Sequence, residues 1–179
     1  MLVAKQKRKE NIVEYILYLY QVEDLIRAFN LDMILIEEKL VALYKADEAS
    51  KNEIRDWYKN LVIMLEKEGK QESGHLQFLN NLVGDLNEFH LKLVQTEKDE
   101  IYSSIFQEVM GLLDELKQKN KVVSNDIQVA INGIYGYLLL KIQNKQITEE
   151  TTVAVKKMSQ WLGHLSGLYK DFERGDLEF

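Results

Sequence analysis

Residues 14–29 have the sequence EYILYLYQVEDLIRAF, and this stretch decides the fold together with a second one. As a helix, it carries apolar side chains over about 240° of its circumference and leaves a narrow polar strip that includes Asp24. The second stretch, residues 127–142, has the sequence IQVAINGIYGYLLLKI and is apolar almost all round. A helix that is apolar on most sides must be surrounded by other helices. We therefore predict that helices 5–29 and 125–143 lie at the centre of a helical bundle.

Length and composition support one all-helical domain. The chain has 179 residues, which suits a single domain with one core. Its 46% hydrophobic and 29% charged residues are typical of a soluble folded protein and exclude a disordered chain. Proline, which interrupts helices, is absent. Cysteine is also absent, which excludes disulfides, thiolate metal sites and cysteine nucleophiles. We predict an all-α single domain over residues 1–179.

Apolar periodicity and capping residues predict five further helices, about seven in all. The side chains that we expect to cap these helices and the helix 125–143 are Asp32, Ser50, Ser73, Thr96, Ser124 and Thr148. Short connections between the helices favour sequential antiparallel packing in one bundle. The five predicted ranges are 33–45, 51–68, 74–94, 97–119 and 149–173.

Charge and hydropathy exclude two classes of partner. The net charge is −6, whereas nucleic-acid binders usually carry an excess of Lys and Arg. The longest apolar runs are about six residues, far short of the roughly 20 that a membrane span needs. The basic residues Lys5 to Lys9 are not followed by a signal-peptide cleavage site. We expect a cytoplasmic protein that binds neither nucleic acid nor a membrane.

Glu23 and Arg27 form the most informative polar pair in the sequence. They are four residues apart, so their side chains can meet on one face of a helix, and that face lies inside the apolar arc. Charged side chains are rarely buried without a partner. One interpretation is a partly buried ion pair that fixes the position of the helix. The other is the polar floor of a pocket, in which Arg27 grips a carboxylate or a phosphate.

Two of the three histidines, His75 and His90, fall on the apolar face of the predicted helix 74–94. They lie fifteen residues apart, or about 22 Å along one helix, so they cannot bind the same ion. Glu72 and His75 have the Glu-x-x-His spacing of di-iron bundles, but that site needs a second copy, which the sequence lacks. We therefore predict no metal site and no cofactor.

No motif assigns a catalytic residue, because the sequence has neither a glycine-rich phosphate loop nor a nucleophile elbow. The first hypothesis is a non-catalytic helical module for protein–protein interaction or self-association, since Ile63 and Leu91 point away from the apolar stripes of their helices. The alternative is a small-molecule-binding protein or enzyme with a pocket between the first, fourth and sixth predicted helices. The residues that would line this pocket are Glu23, Arg27, His75 or His90, and tyrosines such as Tyr20 and Tyr135.

The two ends of the chain resemble a known family. Residues 4–29, AKQKRKENIVEYILYLYQVEDLIRAF, and residues 171–179, DFERGDLEF, are similar to a family of bacterial proteins of about this length. That family is classified as a domain of unknown function, and the likeness covers the whole chain. The resemblance implies an all-helical bacterial protein, and it supplies no catalytic or binding residues.

Overall fold

The computed structural model describes residues 2–120 and 124–179, and in these ranges the chain forms eight α-helices and no strand. The all-α prediction is confirmed. No helix in these ranges combines the length and the apolar character needed to cross a bilayer. The helices are α1 (Leu2–Glu10), α2 (Ile12–Ala28), α3 (Met33–Lys39), α4 (Glu48–Lys67), α5 (Gln77–Thr96), α6 (Glu100–Asn120), α7 (Asp126–Ile142) and α8 (Glu149–Arg174), and a 3₁₀ turn (Val41–Leu43) follows α3.

The predicted helix 5–29 is two helices, because Asn11 interrupts it. The Asn11 side chain accepts a hydrogen bond from the Glu14 N–H at 3.0 Å and so caps the start of α2. Asparagine offers the backbone such a bond as an alternative to continuing the helix. The predicted helix 33–45 likewise divides into α3 and the 3₁₀ turn. The described ranges therefore hold eight α-helices, where the sequence predicted about seven.

Two of the six predicted caps are confirmed. The predictions for Ser73, Thr96 and Ser124 are wrong, because the residues at those helix starts are Leu76, Asp99 and Asn125. Asp32 accepts a hydrogen bond from the Ile34 N–H at 2.8 Å, and Thr148 accepts one from the Thr151 N–H at 3.2 Å. The prediction for Ser50 is wrong. Asp47 caps α4 by accepting from the Ser50 N–H at 2.7 Å, so this helix begins at Glu48. A carboxylate at a helix N-terminus also interacts favourably with the helix dipole.

The helices α2 and α7 lie at the centre, as predicted, and α8 shares that position. The prediction is wrong for residues 5–10 of the range 5–29, because these residues belong to α1 and are mostly exposed. Helix α7 packs against α2, α5, α6 and α8, and most of its residues between Ile127 and Tyr135 are buried, although Asn132 is exposed. Its last turns emerge from the bundle, since Ile142 is 67% exposed. Helix α8 packs against α2, α5, α6 and α7 and buries Trp161 completely. The buried apolar side chains of these helices belong to one continuous core.

Candidate functional site

The loop between α4 and α5 is held against α2 by Glu23, a carboxylate that is only 1% exposed. Glu23 Oε1 accepts a hydrogen bond from the Leu76 N–H at 2.9 Å, and Glu23 Oε2 lies 2.6 Å from His75 Nδ1. Because an ionised carboxylate can only accept, His75 donates its Nδ1–H. Leu76 precedes α5 and offers no capping side chain of its own. Glu23 therefore caps α5 from another helix.

Arg27 contacts the same loop by donating hydrogen bonds to backbone carbonyl oxygens of the loop. Its Nε donates to the Lys70 carbonyl oxygen at 3.1 Å, and its Nη2 donates to the Gly74 carbonyl oxygen. Its Nη1 donates to Asp24 Oδ1 at 2.8 Å. The predicted pairing with Glu23 is present only as a long ion pair, with 3.9 Å between Arg27 Nη2 and Glu23 Oε2. Glu23 thus contacts the loop more closely than it contacts Arg27, and Arg27 pairs with Asp24 and with the loop more closely than with Glu23.

Two tyrosines form the aromatic side of the site. The Tyr20 ring stacks on the His75 ring, with 3.4 Å between the centroids and 8° between the planes. Tyr135 meets Tyr20 edge-on at 5.5 Å and donates a hydrogen bond from its hydroxyl to Asp24 Oδ2 at 2.5 Å. Partial burial and this bond to Asp24 raise the pKa of the Tyr135 hydroxyl. The phenol therefore stays protonated and acts as a donor.

These side chains form one polar cluster, which we call the Glu23 cluster. Helical-wheel reasoning missed one of its members, because Asp24 falls in the polar strip of α2. The missed signal was the three-residue spacing of Asp24 and Arg27, which places the two side chains together on a helix. The members of the cluster are Tyr20, Glu23, Asp24, Arg27, His75 and Tyr135.

His90 lies in a different cluster, although the sequence placed it among the candidate site residues. The side chain is 1% exposed, with its Nδ1 2.6 Å from the Tyr102 hydroxyl and its Nε2 3.7 Å from Asp126 Oδ2. Asp126 also pairs with Lys117 Nζ at 2.5 Å. These contacts with His90 and Lys117 lower the pKa of Asp126 to about 2. The geometry is that of a satisfied core histidine.

The hydrogen bonds that the Glu23 cluster already makes limit which ligands it can bind. Arg27 directs three of its five N–H donors at loop carbonyls and at Asp24, so these three are not available to an anion. His75 keeps 23% of its side-chain surface exposed, and its Nε2 makes no hydrogen bond within residues 2–120 and 124–179. In the same ranges, no three His, Asp or Glu side chains lie close enough together to hold a metal ion. The atom that the cluster offers to a ligand is therefore His75 Nε2.

An apolar surface groove of about 260 Å³ lies elsewhere, between α2, the 3₁₀ turn and α4. We call it the tyrosine groove, because Tyr18 and Tyr44 line it together with Leu25 and Leu43. Leu43 is 76% exposed and Leu25 is 41% exposed. Large apolar side chains that remain this exposed around an apolar hollow are typical of a contact surface.

The two apolar side chains that the sequence pointed outward differ in exposure. Leu91 on α5 is 54% exposed, whereas Ile63 on α4 is half-buried. Neither residue lines the tyrosine groove. Isolated exposed leucines are common on protein surfaces, so Leu91 alone does not mark a binding site.

Comparison with known proteins identifies one family. The family model of a domain of unknown function, DUF4924, matches residues 1–176 of the 179. No curated protein and no solved structure matches the chain. The family match covers every helix described above, and it confirms the resemblance found at the two ends of the sequence. The chain belongs to the DUF4924 family.

Proposed function

We propose that this chain is a non-catalytic helical module that works in the bacterial cytoplasm and binds protein, with a second copy of itself as its partner. The contact surface is the tyrosine groove. The observation that carries the proposal is the position of Leu43, a 76% exposed side chain at the edge of an apolar hollow.

The groove and Leu43 together are self-complementary. In a two-fold symmetric contact each copy uses the same patch, so a protruding side chain on one copy meets the hollow of the other. Placing Leu43 in the partner's groove removes its apolar surface from water, which contributes about 1.5–3 kcal/mol per copy. Tyrosine side chains, which line this groove, are enriched at protein interfaces. One charged pair lies between α3 and α4, with Arg55 Nε 2.9 Å from Glu37 Oε1.

Sedimentation velocity over a range of protein concentrations tests this proposal. Leu43→Glu places a charge in the contact, so we expect the variant to stay monomeric where the native chain dimerises. Ile142→Glu is the matched control, because Ile142 is 67% exposed at the far end of α7 and lies outside the groove. A native chain that is monomeric at every concentration contradicts self-association. Equal weakening by both substitutions contradicts the choice of surface.

A small-molecule site at the Glu23 cluster is the second candidate function. Its support is specific: five of the six side chains predicted from sequence to line a pocket lie together, and His75 keeps an unbonded ring nitrogen among the described residues. A panel of small alcohols and amides, screened by NMR line broadening, tests it. A ligand whose binding is lost in His75→Gln and retained in His164→Gln supports this function. A panel without such a ligand contradicts it.

A further inference from the structure

The three histidines of the chain differ in which ring nitrogens are engaged. His164 uses Nε2, which lies 3.0 Å from Asp99 Oδ1. His90 is buried, and both of its ring nitrogens face protein partners. His75 engages Nδ1 alone, and its partner is the buried carboxylate of Glu23. His75 and His164 therefore each keep one ring nitrogen without a hydrogen bond among the described residues, Nε2 in His75 and Nδ1 in His164. His75 differs from His164 in that its carboxylate partner is closer and buried.

Glu23 determines where the proton sits on the His75 ring. A carboxylate at 2.6 Å holds a proton on Nδ1, so the neutral ring has its lone pair on Nε2. A carboxylate behind an imidazole also fixes the tautomer and the orientation of the ring, as it does for histidines that bind metals. Stacking on the fully buried Tyr20 fixes the plane of the ring. Such a fixed ring with a directed lone pair is a preorganised acceptor.

We propose that His75 Nε2 is the reactive atom of this protein, a base and hydrogen-bond acceptor for a small ligand that carries an O–H or N–H group. Glu23 is its positioning residue. This inference deepens the second candidate function and rests on it. The ligand donates its proton toward Nε2, while the Nδ1–H remains bonded to Glu23 Oε2.

Diethyl pyrocarbonate is the probe for such a nitrogen. The Nε2 lone pair forms a bond to a carbonyl carbon of the reagent, and the bond from that carbon to the ethyl carbonate leaving group breaks. The ring then loses its Nδ1 proton to water, and the departing ethyl carbonate takes up a proton from water and decomposes to ethanol and carbon dioxide. The ring is left with a neutral ethoxycarbonyl group, which mass spectrometry of peptides locates.

The experiment measures the modification rate of each histidine in the folded native chain at neutral pH. We expect His75 to react at least about tenfold faster than His90, because a buried ring reacts only when its surroundings open. We expect it to react faster than His164 as well, since the carboxylate behind His75 lies at 2.6 Å and is buried, whereas the one behind His164 lies at 3.0 Å and is partly exposed. In Glu23→Gln the exposure of His75 is retained and the charge behind it is lost, so its rate should fall about tenfold.

Two results overturn the inference. One is a His75 rate no greater than that of His164. The other is an unchanged His75 rate in Glu23→Gln, which shows that exposure alone sets the reactivity. If Glu23→Gln does not fold, as judged by circular dichroism, ¹⁵N NMR of the native chain decides the point, because the proposal requires a proton on His75 Nδ1 and none on Nε2 in the neutral ring. A fast His75 with no ligand from the NMR panel contradicts the small-molecule function and leaves the reactive nitrogen established.

Discussion

Glu23 Oε2 lies 2.6 Å from His75 Nδ1, although 52 residues separate the two along the chain. The other oxygen of the same carboxylate accepts the Leu76 N–H at 2.9 Å, and Arg27 lies beside it as a long ion pair. Burying a carboxylate is costly unless its oxygens find such partners. One side chain of α2 therefore determines where the α4–α5 loop ends and where α5 begins.

Removing the Glu23 carboxylate should destabilise the fold. In Glu23→Ala the Leu76 N–H and the His75 Nδ1–H both lose their acceptor, and we expect a loss of about 3 kcal/mol in the free energy of unfolding. Glu23→Gln keeps one acceptor oxygen and should lose less. Urea denaturation measures both. Glu38→Ala, at a 62% exposed side chain, is the control and should change the free energy little. Equal stability of Glu23→Ala and Glu38→Ala contradicts the assigned role.

Replacing Arg27 should loosen the loop. Arg27→Met removes the donors to the Lys70 and Gly74 carbonyl oxygens, so we expect faster hydrogen exchange at residues 70–76 and a loss of about 2 kcal/mol in the free energy of unfolding. Arg55→Met is the matched control, because Arg55 is more exposed and pairs with Glu37 outside this loop. If hydrogen exchange at residues 70–76 is unchanged in Arg27→Met, this contradicts the role of Arg27 in holding the loop.

Asp126 should contribute to acid sensitivity. His90 and Lys117 lower its pKa from 3.8 to about 2 in the folded chain. A lowered pKa stabilises the fold at pH values above the unfolded pKa, and this stabilisation is lost as the pH falls through the folded pKa. Asp126→Asn should therefore cost about 1 kcal/mol at pH 7, less than the full pKa shift implies because the side chain is partly exposed to solvent, and the difference from the native chain should vanish between about pH 4 and pH 2. Denaturation at a series of pH values measures this. Asp114→Asn, at a 66% exposed side chain, should show no such convergence.

Two glycines of α7 allow the effect of helix propensity on stability to be separated from the effect of packing. A Cβ at Gly136 meets no atom within 4 Å, so Gly136→Ala should stabilise the fold by up to about 1 kcal/mol. A Cβ at Gly133 lies 3.3 Å from Leu116 Cδ1 and 3.4 Å from Met158 Cε. Gly133→Ala should gain less or lose stability, because these side chains must shift. Thermal unfolding of both variants measures the difference, and a larger gain from Gly133→Ala contradicts it.

The helices were predictable because their signals are local. The apolar patterns of residues 14–29 and 127–142 placed α2 and α7 at the centre, and Asp32 and Thr148 marked two helix starts. The division of the predicted helix at Asn11 was missed because capping by the Asn11 side chain competes with continuation of the helix. The predicted pairing of Glu23 with Arg27 followed from their four-residue spacing, which allows a contact and does not rank it against partners from elsewhere.

The start of α5 shows why the rest could not be predicted. Its first residues offer no capping side chain, and their N–H groups are bound by Glu23 and by Glu68 Oε2, which accepts the Gln77 N–H at 2.7 Å. A helical wheel shows that Glu23 faces inward, and it contains no information on which distant loop arrives there. For the same reason, His75 and His90 looked equivalent on one apolar face.

The sequence by itself determined an all-helical chain, its central helices and the inward position of Glu23, because helix periodicity and capping act over a few residues. The tertiary structure decided that Glu23 binds His75 rather than pairing chiefly with Arg27, and that His90 lies in the core. Those choices depend on which buried donors the packed helices bring within 3 Å of a carboxylate, and packing, unlike periodicity, involves residues far apart in the chain.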